Sequence, residues 1–238
     1  MKKLLKTGLM LCSLLALLLG AASSLADDQG VIVQSSCNIL PSGKYTLVYT
    51  FAQVHNNSEE IICLDQGTFE LHSGEQILST QKVTRMWPYF LNPGEDGYFF
   101  DIVSFEPGED GEAVTPSVTA IDYNVTYMSV APAFASQDLS AVSRIIESDA
   151  QGGLTVLCEI TNTTEMDAFD PVVSFGLYTD ADQMIYADGM TLTGVGIPAG
   201  GTVLTRFAVD EAFVSQWTGY GVAPTQVHVN ASFRAESD

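Results

Sequence analysis

Phe175-Gly176-Leu177-Tyr178-Thr179-Asp180 decides how this chain is read. Large apolar side chains at 175 and 177 alternate with Gly176, and the run breaks into an acidic turn at Asp180-Ala181-Asp182. A period of two that closes on turn residues marks a half-buried β-strand. An earlier stretch, Phe69-Glu70-Leu71-His72-Ser73-Gly74, has the same form 106 residues upstream. That spacing recurs: Val54-His55-Asn56 returns as Ile160-Thr161-Asn162, and Leu91-Asn92-Pro93-Gly94 as Ile197-Pro198-Ala199-Gly200. Near the end of each copy the match reads at 108, with Pro116, Thr119, Ile121 and Tyr123 against Pro224, Val227, Val229 and Ala231. Several anchors in one order identify a duplicated unit.

The segments between these anchors read as strands too. From Tyr45 to Val54, Tyr45, Leu47, Tyr49 and Phe51 fall on one face and Thr46, Val48, Thr50 and Ala52 on the other. Ser140 to Ser148 reads as the first strand of the second copy, the counterpart of Val31 to Cys37. Short alternating strands, frequent turns and no long helical period predict an all-β protein of two tandem immunoglobulin-like antiparallel β-sandwiches. The expected division is a leader over 1–26, a first sandwich over 27–130, an Ala-rich linker over 131–138 and a second sandwich over 139–238. Units of roughly 100 residues match the common domain size.

The pattern Phe175-x-Leu177-Tyr178-x-Asp180, preceded by the turn residue Asn162 and followed by Ile197-Pro198-Ala199-Gly200, resembles the FxLYD-type immunoglobulin-like domains of exported bacterial proteins. In that family the Asp follows the Tyr directly, whereas Thr179 intervenes here. The first copy keeps Phe69 and Leu71 but has His72 and Gly74 in place of Tyr and Asp. The resemblance covers about the central half of each copy. It implies an adhesive, scaffolding or binding module, a role that the fold alone does not specify.

The first 26 residues have the form of a secretory signal peptide. Lys2, Lys3 and Lys6 form a basic start, Leu9 to Leu19 is almost wholly apolar, and Ser24-Leu25-Ala26 offers small residues for cleavage after Ala26. The expected location is secreted or periplasmic, with no membrane-spanning segment in the mature chain. Three of the nine Lys and Arg lie in the leader, leaving six against 29 Asp and Glu, a mature net charge of −23. Nucleic acid and anionic membranes repel such a surface, because binding them requires clustered cations.

No phosphate loop, Gly-x-Ser-x-Gly or His-Glu-x-x-His occurs, and His55, His72 and His228 lie far apart without ligand spacing. The chain is therefore read as non-catalytic and without a cofactor. Asp167, Asp170, Asp180 and Asp182 could supply calcium with oxygen ligands, although turn chemistry accounts for them equally well. Cys37 and Cys63 fit either a disulfide or two free thiols, since pairing is not legible in sequence. Cys158 reads as a buried, inert thiol. Asn56, Asn124, Asn162 and Asn230 each begin an Asn-x-Ser/Thr pattern that turns and strand ends explain. The aromatic runs Trp87-Pro88-Tyr89-Phe90 and Trp217-Thr218-Gly219-Tyr220 supply the binding candidates Trp87, Tyr89, Trp217 and Tyr220. Aromatics on exposed loops would grip a protein partner or, as the alternative, stack on the sugar rings of a carbohydrate.

Overall fold

Alternation of the kind seen at Phe175 becomes antiparallel strand along most of the chain: 62% of it is strand and 6% helix, so the fold is all-β. The structure, a computed structural model, describes residues 30–147 and 152–234; the expected leader and its cleavage site lie outside the described residues. In the first repeat the strands are β1 (Gly30–Ser42), β2 (Tyr45–Asn56), β3 (Ile61–Ser73), β4 (Gln76–Lys82), β5 (Met86–Trp87), β6 (Phe90–Leu91), β7 (Asp96–Phe105) and β8 (Ala120–Val130). The second repeat has β9 (Ser136–Asp138), β10 (Ser140–Glu147), β11 (Leu154–Thr161), β12 (Ala168–Phe169), β13 (Val172–Tyr178) and β14 (Met184–Thr191). It closes with β15 (Gly196–Ile197), β16 (Thr202–Val209), the helix α1 (Glu211–Gly219) and β17 (Gln226–Arg234).

Each repeat is a sandwich. In the first, the sheet β1-β2-β7-β5 faces one centred on β3, which pairs with β8 on one side and with β4 and β6 on the other. Val48, Val54, Ile62, Phe69, Leu71, Leu91 and Phe99 fill the space between them. In the second, β10-β11-β16 faces β14-β13-β17-β9, and Phe175 meets Phe207 across the core with ring centroids 4.8 Å apart.

The register shows the duplication residue by residue. Phe69 pairs with Tyr123 and Phe175 with Val229, while Val48 pairs with Val103 and Leu154 with Val209. Both central hairpins carry a bulge at the same place, Leu71/His72 and Leu177/Tyr178. The last strand thus repeats at 106, and the match at 108 is corrected: Pro116 and Pro224 sit in connections of different length, where no ladder fixes the register.

Asn56 and Asn162 build one turn twice. Asn56 Nδ2 donates to the carbonyls of Glu60 and Leu91 at 2.8 and 3.0 Å, and Asn162 Nδ2 to those of Met166 and Ile197 at 2.7 and 2.8 Å. Each Oδ1 accepts from a backbone N–H and a hydroxyl two residues on, Ser58 in one repeat and Thr164 in the other. Both Asn residues are fully buried, so these two Asn-x-Ser/Thr patterns are structural turns.

The segment 131–138 is not a free linker. Asn92 Nδ2 donates to the Ser136 carbonyl at 3.1 Å, and β9 pairs with β17 through Ser136–Arg234, Gln137–Phe233 and Asp138–Ser232. The two sandwiches are packed together, and the buried cluster of the second includes Leu40, Phe51 and Tyr98 from the first. Among the described residues no helix is long and apolar enough to cross a membrane.

Candidate functional site

The seam between the repeats absorbs both tryptophans. Position by position, the second sandwich offers it a shelf of small residues. Gly176 lies opposite Ala187, and Ser174 opposite Gly189. A Cβ on Gly176 would stand 2.9 Å from Tyr98 Cε1, and one on Gly189 only 2.7 Å from Trp87 Cγ. The aromatic rings of the first repeat therefore rest directly on the backbone of the second, an approach that only glycine permits. Trp87, preceding a cis peptide bond to Pro88, is half-buried on this shelf.

Trp217 is placed by helix α1, which replaces the loop expected there. Asp210 caps the helix by accepting from Ala212 N at 2.8 Å, and Glu211 adds a favourable charge in the first turn. Phe213 and Trp217, four residues apart, share its buried face. Trp217 is 3% exposed and donates from Nε1 to Asn38 Oδ1 at 2.7 Å, while Asn38 Nδ2 donates to the Ile185 carbonyl. Gln216 Nε2 donates to the Ile39 carbonyl. Trp217 is thus corrected from a surface contact to an anchor between the repeats, because its ring is buried against Tyr186 and Phe213 and its N–H is held by Asn38 of β1. Tyr178, also at the seam, donates to Gln53 Oε1 at 3.0 Å and lies 3.3 Å from the Tyr98 hydroxyl. Burial holds both phenols protonated, pushing Tyr98 up to about 12 and Tyr178 further.

Tyr89 and Tyr220 remain exposed, at 54% and 55%. They are not brought together: Tyr220 follows α1, whereas Tyr89 belongs to a groove of about 670 Å³ on another side of the seam. Its walls come from the β5–β6 connection, the turn Pro132–Phe134, the β12 edge and the end of β17. Tyr89 meets Phe90 edge-on with centroids 4.9 Å apart, and Phe90 lies 5.0 Å from Phe134. The Arg234 guanidinium carbon stands 5.7 Å from the Phe90 centroid and 5.5 Å from that of Phe134. Cation–π contact of this kind orients the guanidinium and leaves its N–H edges available. Phe169, 60% exposed, forms the opposite lip. Among the described residues no carboxylate lies within ion-pair distance of Arg234. Sequence reasoning found Tyr89 but missed Phe134, Phe169 and Arg234, which lie far from it in sequence; β9–β17 pairing brings Phe134 beside Arg234, and Phe169 comes from the β12 edge.

The calcium candidates act as turn residues. Asp170 Oδ1 accepts from Gly194 N, and Asp167 Oδ1 from Ala199 N at 3.2 Å. Asp170 and Asp182 take positive φ of 45° and 59°, which Asp tolerates in tight turns. Asp180 lies exposed in the turn that Thr179 organises by accepting from the N–H groups of Ala181 and Gln183. Among the described residues no group of three or more His, Cys, Asp or Glu is close enough to hold a metal ion. Cys37 and Cys63, on opposite sheets of the first sandwich, are both free thiols, and no disulfide joins them. Burial pushes Cys37 and Cys158 up to about 11, which keeps them as unreactive thiols at neutral pH.

No family model and no curated protein matches the chain. Among solved structures, red sea bream transglutaminase matches at 10% identity and a TM-score of 0.25, over 85% of this chain and 29% of that one. A likeness this faint carries no argument about function.

Proposed function

We propose that the chain is an exported, non-catalytic binding or scaffolding module that holds a protein partner in the aromatic groove. The observation that carries this reading is the exposure of Phe169 and Tyr89 around one concavity whose basic residue, Arg234, has no carboxylate partner among the described residues. Large apolar rings left in water beside a stacked guanidinium suit an extended segment carrying an aromatic or aliphatic side chain next to a carboxylate. The basic and apolar leader supports export, and the resemblance of the Phe175 stretch to FxLYD-type domains supports binding.

Selection of a displayed random-peptide library on the immobilised chain tests this, with an insoluble-polysaccharide pull-down in parallel. Enriched peptides combining an aromatic or aliphatic residue with Asp or Glu are expected, and Arg234→Glu with Phe169→Ala is expected to weaken them about tenfold or more. Polysaccharide retention abolished by Tyr89→Ala would replace the reading with a carbohydrate-binding one. Peptides that bind the double variant as well as the unaltered chain would remove the groove as the site.

A further inference from the structure

The outer face of β1-β2-β7 is the face that receives the second repeat. Its rows, read across the register, are Gln34–Gln53–Tyr98, Ser36–Phe51–Phe100 and Asn38–Tyr49–Ile102. Gln34 Oε1 accepts from Met184 N at 2.8 Å, and Phe51 meets Tyr186 at 5.0 Å. The corresponding face of the second repeat, β10-β11-β16, is open. Its rows are Val142–Glu159–Leu204, Arg144–Leu157–Arg206 and Ile146–Thr155–Ala208. Val142, Leu204 and Ile146 are 67%, 59% and 40% exposed, and Leu157 is half-buried. Arg144 and Arg206, two of the six basic residues beyond the leader, stand exposed on either side of Leu157.

The other half of the same interface is likewise open on the first repeat. In the second repeat the docking shelf is Gly176 flanked by Ala187 and His228. In the first, the equivalent position is Glu70, flanked by Thr80 and Asp122. His72 sits beside it, with Nε2 3.4 Å from Glu70 Oε2 and 3.3 Å from Asp122 Oδ2. The chain therefore exposes an apolar face with two arginines at one end and a carboxylate-bearing face at the other.

We infer that a second copy of this chain docks its Glu70–Asp122 face on the Arg144–Leu157–Arg206 face, using the same pair of faces that join the two repeats within one, but through charged side chains and at a wider spacing, since Glu70 stands where Gly176 allows close approach. The occupant is a second copy because the two open faces are the unused halves of an interface the chain already makes, and their charges are opposite. Because the two faces differ, the contact is head-to-tail, and copies add into a line or a ring according to the rotation at each contact. The carboxylate-rich face leaves the contact weak and sensitive to salt.

Sedimentation velocity over a protein concentration series, on the chain purified after export, tests the inference. Average mass is expected to rise with concentration and to fall as salt is added. Arg144→Glu with Arg206→Glu should give a monomer, and so should Glu70→Arg with Asp122→Arg, each retaining the unaltered circular dichroism spectrum. Mixing the two double variants should restore association, because each then presents charges opposite to the other. A chain that stays monomeric throughout the series would overturn the inference, as would variants that associate undiminished or a mixture that stays monomeric.

Discussion

Phe51 and Leu157 stand at the same position of their repeats, on the middle strand of β1-β2-β7 and of β10-β11-β16, at the centre of the outer face. Phe51 is fully buried and packs on Phe100, Tyr186 and Phe213, whereas Leu157 is half-buried between two exposed arginines. The backbone ladders around them are equivalent, so side chains alone decide which face is covered. A row of aromatics and amides met a shelf of glycine, alanine and serine and closed against it. The row with arginines, valine and leucine did not close within the molecule.

Truncating these two residues is the strongest way to break the comparison. Phe51→Ala is expected to cost about 3–5 kcal/mol, because it empties a buried ring site on which both repeats rely. Leu157→Ala should cost less than about 1 kcal/mol, since its side chain is only partly removed from water. Urea unfolding measures both, and similar losses at the two positions would show that the seam does not stabilise the fold.

The asparagine turns sharpen the comparison where the repeats agree. Asn56→Ala and Asn162→Ala each leave one buried carbonyl, that of Leu91 or Ile197, and a turn without partners, a loss of about 2–3 kcal/mol. The two values should match within about 1 kcal/mol, because the hydrogen bonds are the same. A loss at only one site, read from the same unfolding curves, would mean that the two turns are not energetically equivalent.

The smallest effect is a dependence on pH centred on the seam. Burial is the main cause that pushes Glu95 up from 4.5 to about 7; the Asn92 N–H opposes this, and Asp138 and Asp96 add to it. Burial also raises Asp101 and Asp188. A carboxyl raised on folding holds its proton more tightly in the folded chain. Its stabilising contribution is complete below about pH 4.5 and is lost as pH rises through about 7. For Glu95 the loss is on the order of 2 kcal/mol, after allowing for water at the open side of the seam. Melting temperature should fall between pH 5 and pH 8, and Glu95→Gln should flatten the fall. A wild-type maximum at pH 8 would reverse the sign of the argument.

Much of the fold was legible because it is local. Alternation at Phe175 and at Tyr45 to Val54 marked strands, correspondence with Val31 to Cys37 marked another at Ser140 to Ser148, and the 106-residue spacing marked the duplication. The asparagine turns were legible as turn chemistry. Helix α1 was hidden because nine residues give little periodicity, although Asp210 followed by Glu211, with Phe213 and Trp217 four apart, contained its signal. The groove was not legible, since Tyr89, Phe134, Phe169 and Arg234 share no pattern along the chain and meet by tertiary pairing.

By itself, then, the sequence determined the strands, their duplication and the buried turns, because side-chain alternation and Asn chemistry act over a few residues. Alternation also sorted β2 into a Val48–Ala52–Val54 face and a Tyr49–Phe51 face, without saying what would cover each. Only the tertiary structure decided that the first face lines the sandwich core while the second seals the seam with its neighbour. It likewise turned two tryptophans read as surface contacts toward the seam and left Phe169 and Arg234 in water. Burial depends on which surface arrives opposite a residue, and that surface comes from more than a hundred residues away.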